Sequence, residues 1–530
     1  MHYYHWIRDL SPLNSVNSQF GESYLATSAE VGLRRKRIGI KIMFNVTPPN
    51  AFVALAQKSQ VTSGGNEMHN AFLHLLPKAE LHAHLNGSVS VPLLRYLVQL
   101  KRESFTASAP YESKLTGEIE ALQTSSTLLS ADSCGGTNAT PKERMAHCFR
   151  VFDAIYLIMD NLAFTRLAVQ DILFCYAIEN TIVLELRTSL REHLMQGFHG
   201  EDRRCKATQR EYLEAVQATM EHVLAGGVVD FRSGHLFTDG EPSLDWRDHF
   251  EELYLSRWPG FDERASLSEL QARLKRMRCC LTISLSRSYP VGVAEKTVDA
   301  IQEHIAGRPS SAVPITSVDF SGNCYKHRFS DYAHLLEKCR SPPLGLFVTL
   351  HAGEKDDVDE LREMVAFCPD RYGHLVFTDR ANLEQILTQQ RRPIELCLSS
   401  NLLTTGHDSL DAHHIHQLEF HAEDYLAAHG CLSSVHSPTK VDRSWISINT
   451  DDRGVFNTTL ARELEILLSH RAVLACGIER TQRETEEQLK LMTLWCLERQ
   501  AILNSFLPEN HKAEALRYFD EVAEFSQSQT

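Results

Sequence analysis

The chain has 530 residues, of which 43% are apolar and 23% charged. That balance excludes a wholly disordered chain, a collagen-like one and a small disulfide knot. The formal net charge of −14 argues against a broad grip on a polyphosphate backbone, so no nucleic-acid partner is expected.

Residues 1–67 read as an N-terminal extension. They hold the basic cluster Arg34-Arg35-Lys36-Arg37 and the loop-like Pro48-Pro49-Asn50. The cluster is compatible with a targeting signal; a disordered, solvated tail or an artefact of start-codon assignment is the favoured reading. Organised sequence begins near Met68, and residues 68–530 are expected to form one barrel domain. No apolar run reaches the length a membrane span needs, since residues 38–56 are broken by Lys41, Asn45, Pro48 and Pro49. No charged-apolar-small leader opens the chain. The 13 cysteines include no C-x-x-C pair, and Cys279 and Cys280 are adjacent. Reduced thiols in a cytoplasmic protein are expected.

From about residue 70 onward, short apolar runs alternate with helical patterns. Strands are predicted at 80–85, 182–187, 280–286, 317–320, 345–350, 371–374, 394–398 and 445–449. Several are continuously apolar, as suits a sheet buried on both faces. Helical periodicity lies between them, with Phe149, Phe152, Ile155 and Met159 at i, i+3, i+6 and i+10, and again over 459–469 and 484–505. Two stretches interrupt the pattern. Residues 103–142 are rich in Ser, Thr, Ala and Gly; residues 196–275 mix charge, Gly, Trp246 and Trp258 without a clear period. Both are expected to be loop insertions, the second with room for short helices. Strand-helix alternation predicts an α/β fold, a (β/α)₈ TIM barrel carrying two long insertions.

In such a barrel, chemistry sits at the C-terminal strand ends. The first strand ends in His82-Ala83-His84-Leu85-Asn86-Gly87-Ser88 and the fifth in His351-Ala352-Gly353-Glu354. The sixth is Arg371-Tyr372-Gly373-His374, and the eighth ends in Asn449-Thr450-Asp451-Asp452. Residues i and i+2 on a strand share a face, so His82 and His84 reach one barrel mouth. H-x-H alone arises by chance in a chain with 26 histidines. His351 and Asp451 complete a set that suits zinc with an open position for water. The bland reading of Asp451-Asp452 is a solvated turn or cap, but adjacent carboxylates closing a buried strand repel unless a cation sits nearby. Glu354 is the candidate proton donor. His374 is the candidate to orient water, against the alternative of a satisfied core histidine. His407, His413, His414 and His416 follow the seventh strand in polar sequence and read as a solvated, non-binding face.

Together, Leu76-Pro77-Lys78-Ala79-Glu80-Leu81-His82-Ala83-His84-Leu85-Asn86-Gly87-Ser88, His351-Ala352-Gly353-Glu354, Tyr372-Gly373-His374, Glu395-Leu396-Cys397-Leu398-Ser399-Ser400-Asn401 and Thr450-Asp451-Asp452 resemble the ordered motifs of adenosine deaminase-type metal-dependent hydrolases. The match spans about residues 70–520. Within that family the chain is most similar to the adenosine deaminase-like branch that acts on N6-methyl-AMP. Asn86 stands where adenosine enzymes carry an Asp that would repel a 5′ phosphate. Residues 188–191 fall on a phosphate-holding segment, with fitting donors in Thr188, Ser189 and Arg191. Arg453-Gly454-Val455-Phe456 follows Asp452 where adenosine enzymes commonly have Pro.

The resemblance implies one zinc ion per chain on His82, His84, His351 and Asp451. It implies that Glu354 protonates purine N1, that His374 and Asp451 position the attacking water at C6, that Asp452 meets N7 and that the Gly322 amide meets N3. His84, Asn86, Tyr156, Thr188, Ser189, Leu190 and Arg191 would line the nucleotide. The implied reaction is hydrolytic deamination of a 6-aminopurine nucleotide, N6-methyl-AMP to IMP, by a monomer acting in purine salvage. The alternatives are an adenosine deaminase making inosine, or an inactive barrel serving as a purine-binding or interaction module. Three departures stand out. Leu375 replaces a Gly and is expected to crowd the site, Ser286 replaces an acidic residue of the branch, and Tyr156 replaces a His. The nucleic-acid editing deaminases use H-x-E with P-C-x-x-C, which this chain lacks.

Overall fold

The computed structural model describes residues 72–73, 76–104, 139–197, 205–237, 244–254, 266–308, 310–407, 410–413, 415, 446–469 and 486–528. The N-terminal extension with its basic cluster, the body of the first insertion, Trp258, His414 and His416 lie outside the described residues.

Eight parallel strands follow one another around the sheet in chain order. They are β1 Lys78–His84, β2 Thr181–Thr188, β3 Arg278–Ser286, β4 Ile315–Ser321, β5 Phe347–Ala352, β6 Arg371–His374, β7 Ile394–Leu396 and β8 Ile446–Ile448. Each corresponds to a predicted strand, and β6 coincides with its prediction. A parallel bridge between Ala83 and Asp451 joins β1 to the chain just after β8. There the His84 N–H donates to the Asp451 carbonyl at 3.0 Å. The seam of the barrel therefore fixes two candidate metal donors against each other through the backbone.

The strands carry two alternating sets of residues. On β4, Val318 and Phe320 are apolar, while Ser317, Asp319 and Ser321 alternate with them, and all five are buried. The polar set bonds across the barrel: Thr282 to Ser317 at 2.7 Å, Ser284 to Asp319 at 3.1 Å, Thr349 to Glu395 at 3.0 Å and Arg371 to Glu395 at 2.7 Å. The period of two thus separates a polar lumen from an apolar outer face packed under helices.

Three helices shape the side of the barrel near β2. Helix α1 spans Pro141–Ile158, α2 Leu162–Ile178 and α3 Gln209–Leu224. The last corrects the sequence reading, because it lies within the stretch that showed no clear period. A Thr208/Glu211 capping box starts it, and Tyr212, Leu213, Val216, Met220 and Val223 are buried along one side. Its outward charges hid the stripe. Beyond it, an antiparallel hairpin pairs Val228–Val229 with Leu236–Phe237, and helices run over Leu244–Tyr254 and Ser266–Arg276. Trp246, Phe250 and Tyr254 pack their rings on Phe174 of α2, with centroids 5.4–6.4 Å away. This stretch joins the same continuous apolar core as the barrel and its helices. Among the described residues, no helix is long and apolar enough to cross a membrane.

Candidate active site

The first strand delivers His82 and His84, and the fifth delivers His351 from its C-terminal half. Their Nε2 atoms converge: His82 to His351 is 3.2 Å, His84 to His82 3.3 Å and His84 to His351 3.1 Å. Asp451 Oδ1 lies 3.5 Å from the Nε2 of both His82 and His84. Four nitrogen and oxygen donors set tetrahedrally around a centre about 2.0–2.1 Å away have edges of about 3.3 Å. The observed spacings agree with that figure.

The outer ring nitrogens explain the arrangement. His82 Nδ1 is 2.6 Å from Glu395 Oε2, and His351 Nδ1 is 2.9 Å from Asp319 Oδ1. Carboxylates accept, so both Nδ1 atoms donate, and the Nε2 lone pairs point at one another. Burial, then the neighbouring His351, pushes His84 down to a pKa of about 3, which leaves its imidazole neutral. Converging lone pairs beside a carboxylate repel unless a cation lies between them. The donor set therefore fits a metal ion, with carboxylates behind two of the imidazoles as metal-binding histidines usually have.

His374 lies close by, and its donor atom falls within 4.8 Å of those of His82, His351 and Asp451. Its Nε2 is 4.0 Å from Asp451 Oδ2 and 3.9 Å from Glu354 Oε1. The Asp451 spacing is longer than the 3.1–3.5 Å among the other four donors, so His374 stands at the edge of the metal set. The Asn401 amide donates to His374 Nδ1 at 3.1 Å. That bond places the ring proton on Nε2, directed between Asp451 and Glu354. Ser400 Oγ donates to Asp451 Oδ2 at 2.7 Å. Asp451, His374 and Leu375 all take positive φ, at 60°, 64° and 56°. Backbone held in that region is costly for residues other than Gly and clusters at functional sites.

These groups open into one cavity of about 710 Å³. Four oxygens of its lining residues are buried without a hydrogen-bond partner: Glu354 Oε2, Asp452 Oδ1, Asn86 Oδ1 and Asn401 Oδ1. Such atoms are costly unless a ligand satisfies them. Burial raises the Glu354 pKa. Burial, then the charges of Asp451 and Glu354, raises that of Asp452 well above the carboxylate range. Both therefore tend to keep a proton and can donate. A Cβ on Gly87 would lie 1.7 Å from Asp452 Oδ1, so Gly87→Ala must displace that carboxyl. We expect a tenfold or greater rise in KM for a ligand that the Asp452 carboxyl holds, about the worth of one hydrogen bond. Steady-state kinetics alongside a melting curve near that of the wild type checks this.

The other sequence-predicted residues also line the cavity: Tyr156, Thr188, Ser189, Leu190, Arg191 and Gly322. Gly322 has φ +98°, and a Cβ there would lie 2.5 Å from Ser286 Oγ, so only glycine fits. Thr188 Oγ1 is hydrogen-bonded to the Tyr212 hydroxyl at 2.8 Å. The Arg191 guanidinium donates to the carbonyls of Met159 and Tyr156 and lies 4.8 Å over the Tyr156 ring. It thus caps the C-terminal end of α1, a structural duty the sequence did not disclose.

Two expectations are corrected. Leu375 does not crowd the site. Its side chain is fully buried in the core, and Val376, not Leu375, lines the cavity. Its positive φ turns the chain so that its N–H donates to Ala352. In the histidine run, His407 is exposed as read, but His413 is 2% exposed. It is enclosed with buried Leu410 and Ile415, and its Nδ1 accepts from the Ile415 N–H. The sequence reading also missed Asp319, Glu395, Ser400 and Asn401 as partners of the candidate donors. The signal for the first two was available, namely a carboxylate inside a buried strand. Phe149 and Phe152 were read only as a helical stripe, yet they line the cavity.

A family model described as adenosine deaminase matches residues 276–424. The adenosine deaminase-like protein of Drosophila melanogaster is 26% identical over 74% of this chain and 86% of its own length. The N6-mAMP deaminase of Arabidopsis thaliana is 25% identical over 78% of this chain and 90% of its own length. Among solved structures, an arabidopsis N6-mAMP deaminase superposes with a TM-score of 0.52 at 22% identity, covering 85% of this chain and 99% of that one. Arabidopsis ADAL complexed with IMP gives 0.53 at 21% identity, covering 86% and 99%. The chain thus shares the barrel fold of these structures, and its sequence is similar to adenosine deaminase-like proteins. The branch it is similar to is that of the N6-methyl-AMP deaminases.

Proposed function

We propose that this chain is a zinc-dependent deaminase that hydrolyses N6-methyl-AMP to IMP and methylamine. The observation that carries this is the cavity itself. Four converging metal donors stand beside two buried carboxyl groups, Glu354 and Asp452, that tend to keep their protons. Relatives named for N6-methyl-AMP deamination in a plant and in vertebrates support the same reaction.

One zinc ion would be held by His82, His84, His351 and Asp451, and when bound it supplies an acidified water near neutral pH. The chain's own residues do the rest. A purine presents acceptors at N1 and N7. Glu354 faces N1 and donates its proton there, which draws electron density from C6. Asp452 donates to N7 and fixes the ring against the metal face. The His374 Nε2–H, held by Asn401, orients the attacking oxygen toward C6. Methylamine then leaves with a proton. Asn86, Gly322, Thr188, Ser189, Leu190, Arg191, His84 and Tyr156 enclose the nucleotide.

The test is a panel of 6-substituted purine nucleosides and monophosphates, read by methylamine or ammonia release. N6-methyl-AMP is expected to exceed adenosine in kcat/KM by tenfold or more. Equal or better turnover of adenosine would overturn the nucleotide assignment. One observation favours that second reading, deamination of adenosine to inosine: Arg191 already spends donors on Met159 and Tyr156.

A further inference from the structure

Arg187 stands at the lumen side of β2, and its side chain is fully buried. Its guanidinium reaches three places. Nη2 donates to Glu395 Oε2 at 2.5 Å and to the Leu81 carbonyl at 2.8 Å, and Nη1 lies 3.4 Å from Asp319 Oδ1. Glu395 and Asp319 are the two carboxylates that accept from His82 Nδ1 and His351 Nδ1. Leu81 immediately precedes His82. One planar cation therefore touches both groups that set the direction of two metal donors, and the backbone of one of those donors as well.

We propose that Arg187 is a positioning residue for the metal centre, joining Glu395 and Asp319 so that His82 and His351 present Nε2 to the same point. The inference rests on the metal site proposed above. A guanidinium suits the task because its donors are fixed in a fork and span two carboxylates; an ammonium is a point charge that satisfies one at a time. The two carboxylates are not equally dependent on it. Glu395 also accepts from Arg371 Nε at 2.7 Å and from Thr349 at 3.0 Å. Besides Arg187 and His351, Asp319 has the Ser284 hydroxyl at 3.1 Å, and no second arginine pairs with it among the described residues. Loss of Arg187 therefore loosens His351 more than His82.

The test uses the full chain with Arg187→Lys, Arg187→Met and Asp319→Asn. Bound metal is counted by elemental analysis after timed exposure to a chelator, with melting curves and kcat and KM at saturating metal. Arg187→Met is expected to weaken metal retention by about ten- to hundredfold, with Arg187→Lys between it and the wild type. Asp319→Asn should weaken retention similarly, and the Arg187→Met/Asp319→Asn double variant should lose little more than either, as expected of groups acting together. Arg187 also borders the cavity, so KM for N6-methyl-AMP separates the two roles: it stays within about threefold if the residue acts through the imidazoles. Should Arg187→Met not fold, Arg187→Lys and Asp319→Asn decide the matter. Wild-type retention in the variants that fold overturns the proposal. So does a tenfold KM rise with retention unchanged, which would make Arg187 a substrate contact. A wild-type chain that holds no metal fails the proposed function itself, a result distinct from unaffected variants of a metal-loaded chain.

Discussion

Replacing His351 with Ala is expected to leave the purified chain with about a tenth or less of the wild-type metal and no measurable turnover of N6-methyl-AMP. Two features of the site make this the largest effect. His351 Nε2 stands 3.1 and 3.2 Å from those of His84 and His82, so it closes the triangle of imidazoles. Its Nδ1 is tied to Asp319, which holds its ring in that direction. Removing it leaves Asp319, fully buried, with one fewer partner and the donor set one short. Enzymes of this type need three protein nitrogens or their equivalent to hold the ion while keeping a position open. Elemental analysis of wild type and variant, purified in parallel, checks the loss. Retention of stoichiometric metal by His351→Ala would remove it from the donor set.

Glu354→Gln is expected to lower kcat by about 10²- to 10⁴-fold, the usual contribution of a general acid, with metal content and melting temperature unchanged. The fold should hold because Gln has the same shape, and Glu354 Oε2 has no hydrogen bond to lose. The pH dependence supplies a second signature. Burial raises the Glu354 pKa, so the acid remains protonated to a higher pH than an exposed glutamate. A required protonated acid makes the rate fall as pH rises through that raised value. Gln does not titrate, so the residual rate of the variant should lack this alkaline limb. A variant that keeps both the rate and the limb would assign the proton to another group.

Local pattern made some of this site legible in the sequence. His82 and His84 are two apart on one strand, and strand geometry alone puts them in the same mouth. His351 and Glu354 flank a glycine whose φ of +65° turns the chain, so their proximity too could be read along the sequence. Asp319 and Glu395 could not be paired with their histidines in the same way. His82 and Glu395 are 313 positions apart, and only closure of the barrel brings them together. What the sequence did offer was a misfit, a charge within a buried strand, and that misfit is now the most informative feature of β4 and β7. Helix α3 was obscured for a different reason. Its buried stripe is interleaved with Arg210, Glu211 and Glu214 on the outer face, and the Thr208/Glu211 cap was the stronger signal. Leu375 shows the limit of reasoning from residue size alone. A larger side chain need not fill a site when a left-handed backbone turns it into the core.

X-ray absorption at the zinc edge of the purified full-length chain tests the central claim most directly. The account predicts a first shell of three imidazole nitrogens with oxygen at about 2.0–2.1 Å, lost on chelation together with methylamine release and restored by adding zinc back. Thiolate sulfur at about 2.3 Å, or full turnover of N6-methyl-AMP by a metal-free chain, would contradict it.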